Sequence, residues 1–145
     1  MGSGSIATRR MSAKAFLDTN ILIYALAANE PRSVVAERLL LKGGVISVQV
    51  LNEFVSVARR KLGLSWSEVR AALSDVRLLC EEPIALTTAL HDQAVLLAEQ
   101  HGLVVDDAMV VSAALAARCE VLFTEDMQDG RRFDGGLRLE NPFKP

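Results

Sequence analysis

Residues 14–24 read Lys-Ala-Phe-Leu-Asp-Thr-Asn-Ile-Leu-Ile-Tyr, a short apolar run that ends in a carboxylate and passes at once into a second apolar run. Lys14–Asp18 is too short for a helix and suits a buried strand. Ile21–Ala28 then reads as an apolar helix that Asp18 is placed to cap. The same alternation continues outward. Pro31 breaks the chain before a helical stretch at Ser33–Leu41, and Gly43-Gly44 precede a second predicted strand, Val45–Val48. Leu51–Leu62 carries Leu51, Phe54, Val55, Ala58 and Leu62 as a helical stripe. Ser65, with Glu68 three residues on, is a capping-box signature for a helix running to about Cys80. Pro83 introduces a short strand at Ile84–Leu86, and Thr88–His101 is a helix stopped by Gly102. A further helix starts at Asp106 or Asp107 and ends near Arg118. Val121–Thr124 is a fourth strand and Leu137–Leu139 a candidate fifth.

Strands separated by helices predict an α/β fold, a central parallel sheet of four to five short strands with helices on both faces. In such sheets ligands bind at the carboxyl ends of the strands. That end is where chemistry is to be sought.

Composition narrows the function classes. The chain has 145 residues, 50% of them apolar and 23% charged, which suits one domain with a core of its own and excludes wholesale disorder. Sixteen Lys+Arg against 18 Asp+Glu give a net charge of −2, so a globally basic nucleic-acid binder is excluded while a local basic patch is not. Cys80 and Cys119 lack metal or disulfide-framework spacing and read as free thiols of a cytoplasmic protein. No secretory signal and no apolar stretch of membrane-spanning length is visible, so no membrane association is expected. Residues 1–10 read as an expression remnant or disordered tail before a native start at Met11, leaving 11–145 as a single domain.

Several carboxylates sit where a folded chain does not readily tolerate them. Asp18 ends the first predicted strand and Asp126 lies just past the fourth, at the same rim of the sheet. Each also has a local explanation, as a helix cap and a turn residue respectively. Glu53 borders the apolar stripe of its helix. Asp107 has Leu103, Val104, Val110 and Val111 as its helical neighbours, and a carboxylate on an apolar surface loses hydration worth several kcal/mol unless something compensates. A helix N-terminus returns only about 0.3–1 kcal/mol, which suffices if Asp107 stays partly hydrated. Four acids from four segments at one sheet edge would raise one another's pKa values, and a divalent cation removes that problem. Carboxylate oxygens suit Mg²⁺ or Mn²⁺, and the absence of His or Cys at these spots argues against zinc.

Four stretches, Phe16-Leu17-Asp18-Thr19-Asn20-Ile21-Leu22-Ile23-Tyr24, Asn52-Glu53-Phe54, Asp107-Ala108-Met109-Val110-Val111-Ser112-Ala113-Ala114 and Leu122-Phe123-Thr124-Glu125-Asp126, together resemble the PIN domain family and, within it, the VapC-type toxins of toxin–antitoxin pairs. The resemblance runs from Lys14 to the C-terminus. It implies a three-layer α/β/α fold and a metal-dependent ribonuclease, with Asp18, Glu53, Asp107 and Asp126 as acidic metal ligands and Asn20 and Thr124 as polar supports. It further implies an RNA substrate, an antitoxin partner and a homodimer. The doubled Asp106-Asp107 leaves Asp106 as an alternative third acid, and Asp129 is an alternative fourth. The implied chemistry is a metal-activated water attacking a phosphodiester.

An acidic pocket repels phosphate, so basic residues must flank it. Arg59-Arg60-Lys61 and Arg131-Arg132 are the candidates, although a solvated helix end explains the first group equally well. Tyr24 reads as core, Trp66 as a helix-start packing residue and His101 as a helix C-terminal residue. Part of the apolar load of the first two helices exceeds what a core needs and reads as an interface. Three other readings compete: a catalytically silent PIN-like binding module, a housekeeping RNA-processing nuclease, and a phosphatase of the haloacid-dehalogenase type. The last needs D-x-D-x-T after the first strand, where this chain has Asp18-Thr19-Asn20-Ile21-Leu22.

Overall fold

The computed structural model describes residues 14–27 and 29–145; the remnant or tail read at residues 1–10, Met11 and the predicted helix end at Ala28 lie outside the described residues. Strand β1 (Ala15–Leu17) leads directly into α1 (Thr19–Leu26), followed by α2 (Ser33–Leu41), α3 (Val48–Arg60), α4 (Trp66–Leu79), α5 (Thr88–His101) and α6 (Val105–Ala116). Strands β2 (Val121–Phe123), β3 (Arg132–Phe133) and β4 (Leu137–Glu140) complete the chain. The helix-rich α/β architecture is the one expected.

The sheet order is β1-β2-β4-β3. β1 pairs with β2, and β2 with β4, in parallel, placing Leu17 beside Phe123 and Phe123 beside Glu140. The sheet is not wholly parallel as expected. Arg132–Phe133 folds back antiparallel on β4 across a turn in which Gly135 and Gly136 hold φ of 101° and 86°, a conformation cheap only for glycine.

Two predicted strands shrink to single bridges. Val45 pairs with Phe16 and Ser47 with Ile84, both in parallel, so this side of the sheet continues through isolated contacts. The cause is capping. Ser47 accepts a hydrogen bond from the Val50 amide and starts α3 at Val48, three residues earlier than its apolar stripe suggests. Ile84 is followed within three residues by Thr87, whose hydroxyl accepts from the Leu90 amide and starts α5. Elsewhere the local signals hold. Ser65 and Glu68 form a reciprocal capping box, and α5 ends on Gly102 at φ 67°. Helix α6 begins at Val105, ahead of the acids expected to open it, and ends at Ala116.

The core is one cluster. Phe16, Leu17, Leu122, Leu137 and Leu139 from the sheet meet Ile21, Leu22, Val50, Phe54, Val111 and Ala114 from the helices. Burying each large side chain is worth roughly 1.5–3 kcal/mol. This packing makes the carboxyl ends of β1 and β2 a rigid platform.

Candidate active site

The parallel register of β1 and β2 fixes the centre of the site. With Leu17 beside Phe123, the residues one step on, Asp18 and Thr124, leave the sheet side by side. The Asp18 amide donates to the Phe123 carbonyl at 3.1 Å, and the Thr124 hydroxyl donates to Asp18 Oδ2 at 2.8 Å. Asp18 is also the N-cap of α1, its Oδ1 accepting from the Thr19 amide at 2.7 Å. The capping role and the site role therefore coexist on different oxygens. Asp18 is only 4% exposed. Burial pushes its carboxyl up to about 6, against the two hydrogen bonds that lower it, with smaller upward contributions from the charges of Asp126 and Glu53.

The other acids are gathered around it by α1 and α3. Thr19 Oγ1 donates to Glu53 Oε2 at 3.0 Å, and Gln49, one turn before Glu53 on α3, donates to Glu53 Oε1 at 3.2 Å. The same Gln49 amide donates to the Asp106 carbonyl at 3.0 Å, tying α3 to the start of α6. Asn20 Nδ2 donates to Asp126 Oδ2 at 3.0 Å, while its Oδ1 accepts from the Glu125 amide. The Asp126 amide donates to Thr124 Oγ1 at 3.2 Å, so one hydroxyl serves both Asp18 and the turn carrying Asp126.

Asp107 lies in the first turn of α6, which has no side-chain cap of its own. It is half-buried, as is Glu53, whereas Asp106 and Asp126 are exposed. The hydration that a carboxylate among Leu103, Val104, Val110 and Val111 needs is thus partly kept. Its carboxyl is raised by burial first, then by the charges of Asp126, Glu53 and Asp106. Asp18 thus feels the charges of Asp126 and Glu53, and Asp107 those of Asp126, Glu53 and Asp106. These acids do not form a closed cage: among the described residues no group of three or more His, Cys, Asp or Glu side chains is set to hold a metal ion. Asp129 stands apart, its Oδ1 accepting from the Asn141 amide at 2.8 Å and its Oδ2 4.0 Å from Lys144 Nζ.

A groove of about 590 Å³ opens beside the acids, lined by Asn52, Glu53, Ser56, Arg60, Asp106 and Asp107 among others. Of the basic residues at the end of α3, Arg60 alone lines it. Arg59 instead stacks over Trp66, 4.5 Å from the ring centre, and donates to the Leu64 carbonyl. Arg131 is spent on the His101 carbonyl and the Phe133 ring, and Arg132 is exposed on β3, the strand farthest from β1 in the sheet.

Thr19, Gln49 and Glu125 carry site contacts that sequence reasoning passes over, because a threonine between two named polar residues and a glutamine one helical turn from an acid carry no distinctive spacing. Tyr24, expected in the core, packs half-buried against it and places its hydroxyl on Glu125. Burial, then the Glu125 carboxylate, push that phenol up to about 12.

The chain matches the PIN domain family over residues 15–133. No curated protein matches it. Among solved structures it resembles the VapC20 toxin of Mycobacterium tuberculosis, described as cleaving the sarcin–ricin loop, at 22% identity and a TM-score of 0.63, over 78% of this chain and 92% of that one. It resembles a toxin–antitoxin complex from Klebsiella pneumoniae at 25% identity and a TM-score of 0.67, over 91% and 100% of the two chains. VapBC2 from Rickettsia felis, bound to a promoter DNA fragment, matches at 25% identity and a TM-score of 0.62, over 87% and 96%. With its site at the carboxyl ends of β1 and β2 and its sequence matched from β1 to β3, the chain belongs to the PIN domain family.

Proposed function

We propose that this chain is a metal-dependent endoribonuclease and the toxin of a toxin–antitoxin pair. The observation that carries the proposal is the convergence of Asp18, Glu53, Asp107 and Asp126, with Thr124, Thr19 and Asn20 each donating a hydrogen bond to one of the first, second and fourth. Family membership and the likeness to toxin–antitoxin complexes support the biological role.

The donor set fits Mg²⁺ or Mn²⁺ by its chemistry. It is all oxygen, with no histidine or thiol among the site residues, and two of its carboxyls are raised by burial and by neighbouring negative charge, a cost that a cation relieves. When bound, the ion supplies a more acidic water and polarises a phosphate oxygen. The chain's own residues do the rest. Asp18, Glu53, Asp107 and Asp126 would hold the ion, Thr124 directs the Asp18 carboxylate, and Thr19 and Asn20 do the same for Glu53 and Asp126. Arg60, in the groove beside Glu53 and Asp107, offsets the acids' repulsion and holds a phosphate of the strand. Hydrolysis of this kind leaves 5′-phosphate and 3′-hydroxyl ends and does not use the ribose 2′-hydroxyl, so a preference for RNA rests on the shape of the substrate.

The protein partner in this reading is an antitoxin, with a second copy of the chain as dimer mate and the cytoplasm as the place of action. A largely apolar groove of about 410 Å³ between α1, α2 and α4, in which Leu26, Leu40, Leu41, Leu78 and Leu79 are joined by Glu37 and Asp75, supports a protein partner. No helix among the described residues is long and apolar enough to cross a membrane.

The test is cleavage of labelled structured RNAs with Mg²⁺, Mn²⁺ or EDTA, with Asp18→Asn as control. Metal-dependent cutting that the substitution abolishes is the expected result. Full metal-dependent cutting by Asp18→Asn would overturn the assignment of Asp18.

A further inference from the structure

Glu125 places a fifth carboxylate between two residues of the site, Thr124 and Asp126. Left free there, it would add to the charge that repels a phosphate and compete for the cation. The structure shows it restrained. Tyr24, one turn beyond Asn20 on the same face of α1, donates its hydroxyl to Glu125 Oε1, and Arg32 Nη1 donates to Oε2 at 2.8 Å. Arg32 is itself fixed twice, by Nε on Glu30 Oε1 at 2.7 Å and by its guanidinium lying 3.9 Å over the Tyr24 ring. The ring meets Phe143 in a T-shaped pair at a centroid distance of 5.2 Å. The connection that carries Arg32 is anchored as well, since the Ser33 hydroxyl donates to the Tyr24 and Ala27 carbonyls at the end of α1.

Helix α1 thus grips the 124–126 turn at two levels. Asn20 takes the Glu125 amide and the Asp126 carboxylate, and Tyr24 with Arg32 takes the Glu125 carboxylate. We infer that Tyr24 and Arg32 are positioning residues, which hold the Glu125 carboxylate out of the acidic site and thereby fix Asp126 and Thr124 for cation binding and cleavage. The inference rests on the nuclease reading. Its physical basis is that an ångström of misplacement costs up to about a hundredfold in rate, and that outer contacts to metal-binding side chains are worth about 10–100-fold in affinity or activity.

The experiment compares wild type, Arg32→Ala, Glu125→Gln and the double variant for Mn²⁺ affinity by calorimetry and for kcat and KM in RNA cleavage. Arg32→Ala is expected to weaken Mn²⁺ binding and lower kcat by about tenfold each, with KM little changed. Glu125→Gln alone keeps an acceptor for Tyr24 and is expected within about threefold of wild type. Adding Glu125→Gln to Arg32→Ala removes the stranded charge and is expected to restore most of both losses. A purely structural Arg32 would give no such rescue. Wild-type values in Arg32→Ala, or a double variant no better than Arg32→Ala, would overturn the inference. A wild-type protein that neither cuts RNA nor binds Mn²⁺ would overturn the nuclease reading instead, and with it the role of Arg32.

Discussion

The Thr124 hydroxyl donates to Asp18 Oδ2 at 2.8 Å across the seam between β1 and β2, where the parallel register makes these two residues neighbours. A three-residue strand cannot bury much by itself. Its contribution to function is to deliver one carboxylate, nearly without solvent, to a threonine 106 positions away.

That burial has a consequence for stability. Asp18 is raised from 3.8 to about 6 in the folded chain, so the folded state holds its proton more tightly than the unfolded state does. Ionised Asp18 therefore costs stability above pH 6, and the cost is recovered as pH falls from about 6 towards 4. In EDTA, the wild type is expected to gain stability relative to Asp18→Asn between pH 7 and pH 5. About 1 kcal/mol of the effect falls in this window, and the full effect, complete only below about pH 4, is on the order of 3 kcal/mol. Thermal unfolding of both proteins across that range checks it, and parallel curves would show that Asp18 carries no such penalty.

The end of α3 separates three consecutive basic residues. Arg60 lines the groove beside Glu53 and Asp107, while Arg59 is committed to Trp66 and the Leu64 carbonyl. Arg60→Ala is expected to raise KM for RNA several-fold and to reduce the slope of log affinity against log salt by about 0.7, the value for one phosphate contact on a single strand. Arg59→Ala is expected to leave the salt slope unchanged and to cost about 1 kcal/mol of stability. Binding of a labelled RNA at several salt concentrations distinguishes the two.

Much of this site is legible in the chain itself, and the reasons are physical. Asp18 stands out because a carboxylate ends an apolar strand, and Asp107 because it interrupts an apolar helix face. Capping rules locate the start of α4 and the end of α5, since Ser65, Glu68 and Gly102 act over a few positions. What depends on distant pairing is not legible. Val45–Val48 and Ile84–Leu86 have strand-like sequences but yield to the caps that follow them, and the antiparallel β3 exists only because β4 is there to receive it. The Tyr24–Glu125 bond spans 101 positions and has no periodic signature. An apolar neighbourhood made Tyr24 look like core, and only the fold reveals where its hydroxyl goes.

Thr19 illustrates the same limit and can be tested. Its hydroxyl donates to Glu53 Oε2 at 3.0 Å, joining the start of α1 to the middle of α3. Thr19→Val keeps the shape and removes the donor, leaving Glu53 to Gln49 alone. Activity is expected to fall about tenfold, with Thr19→Ser recovering most of it. Equal rates in wild type and Thr19→Val would show that Gln49 suffices to orient Glu53.

The sequence leaves Asp126 and Asp129 as rivals for the fourth acid, and their contacts differ in kind. Asp126 is held by Asn20, and its charge raises the carboxyls of both Asp18 and Asp107. Asp129 accepts the Asn141 amide and faces Lys144, contacts that fasten the C-terminal segment to the turn after β2. Asp126→Ala is therefore expected to lower cleavage at least tenfold with little change in melting temperature. Asp129→Ala is expected to do the opposite, losing about 1 kcal/mol with the hydrogen bond to Asn141 while cleavage stays within about twofold. Rates and melting curves of the two variants, measured side by side, decide between them. A loss of activity in Asp129→Ala with Asp126→Ala unaffected would transfer the role to Asp129.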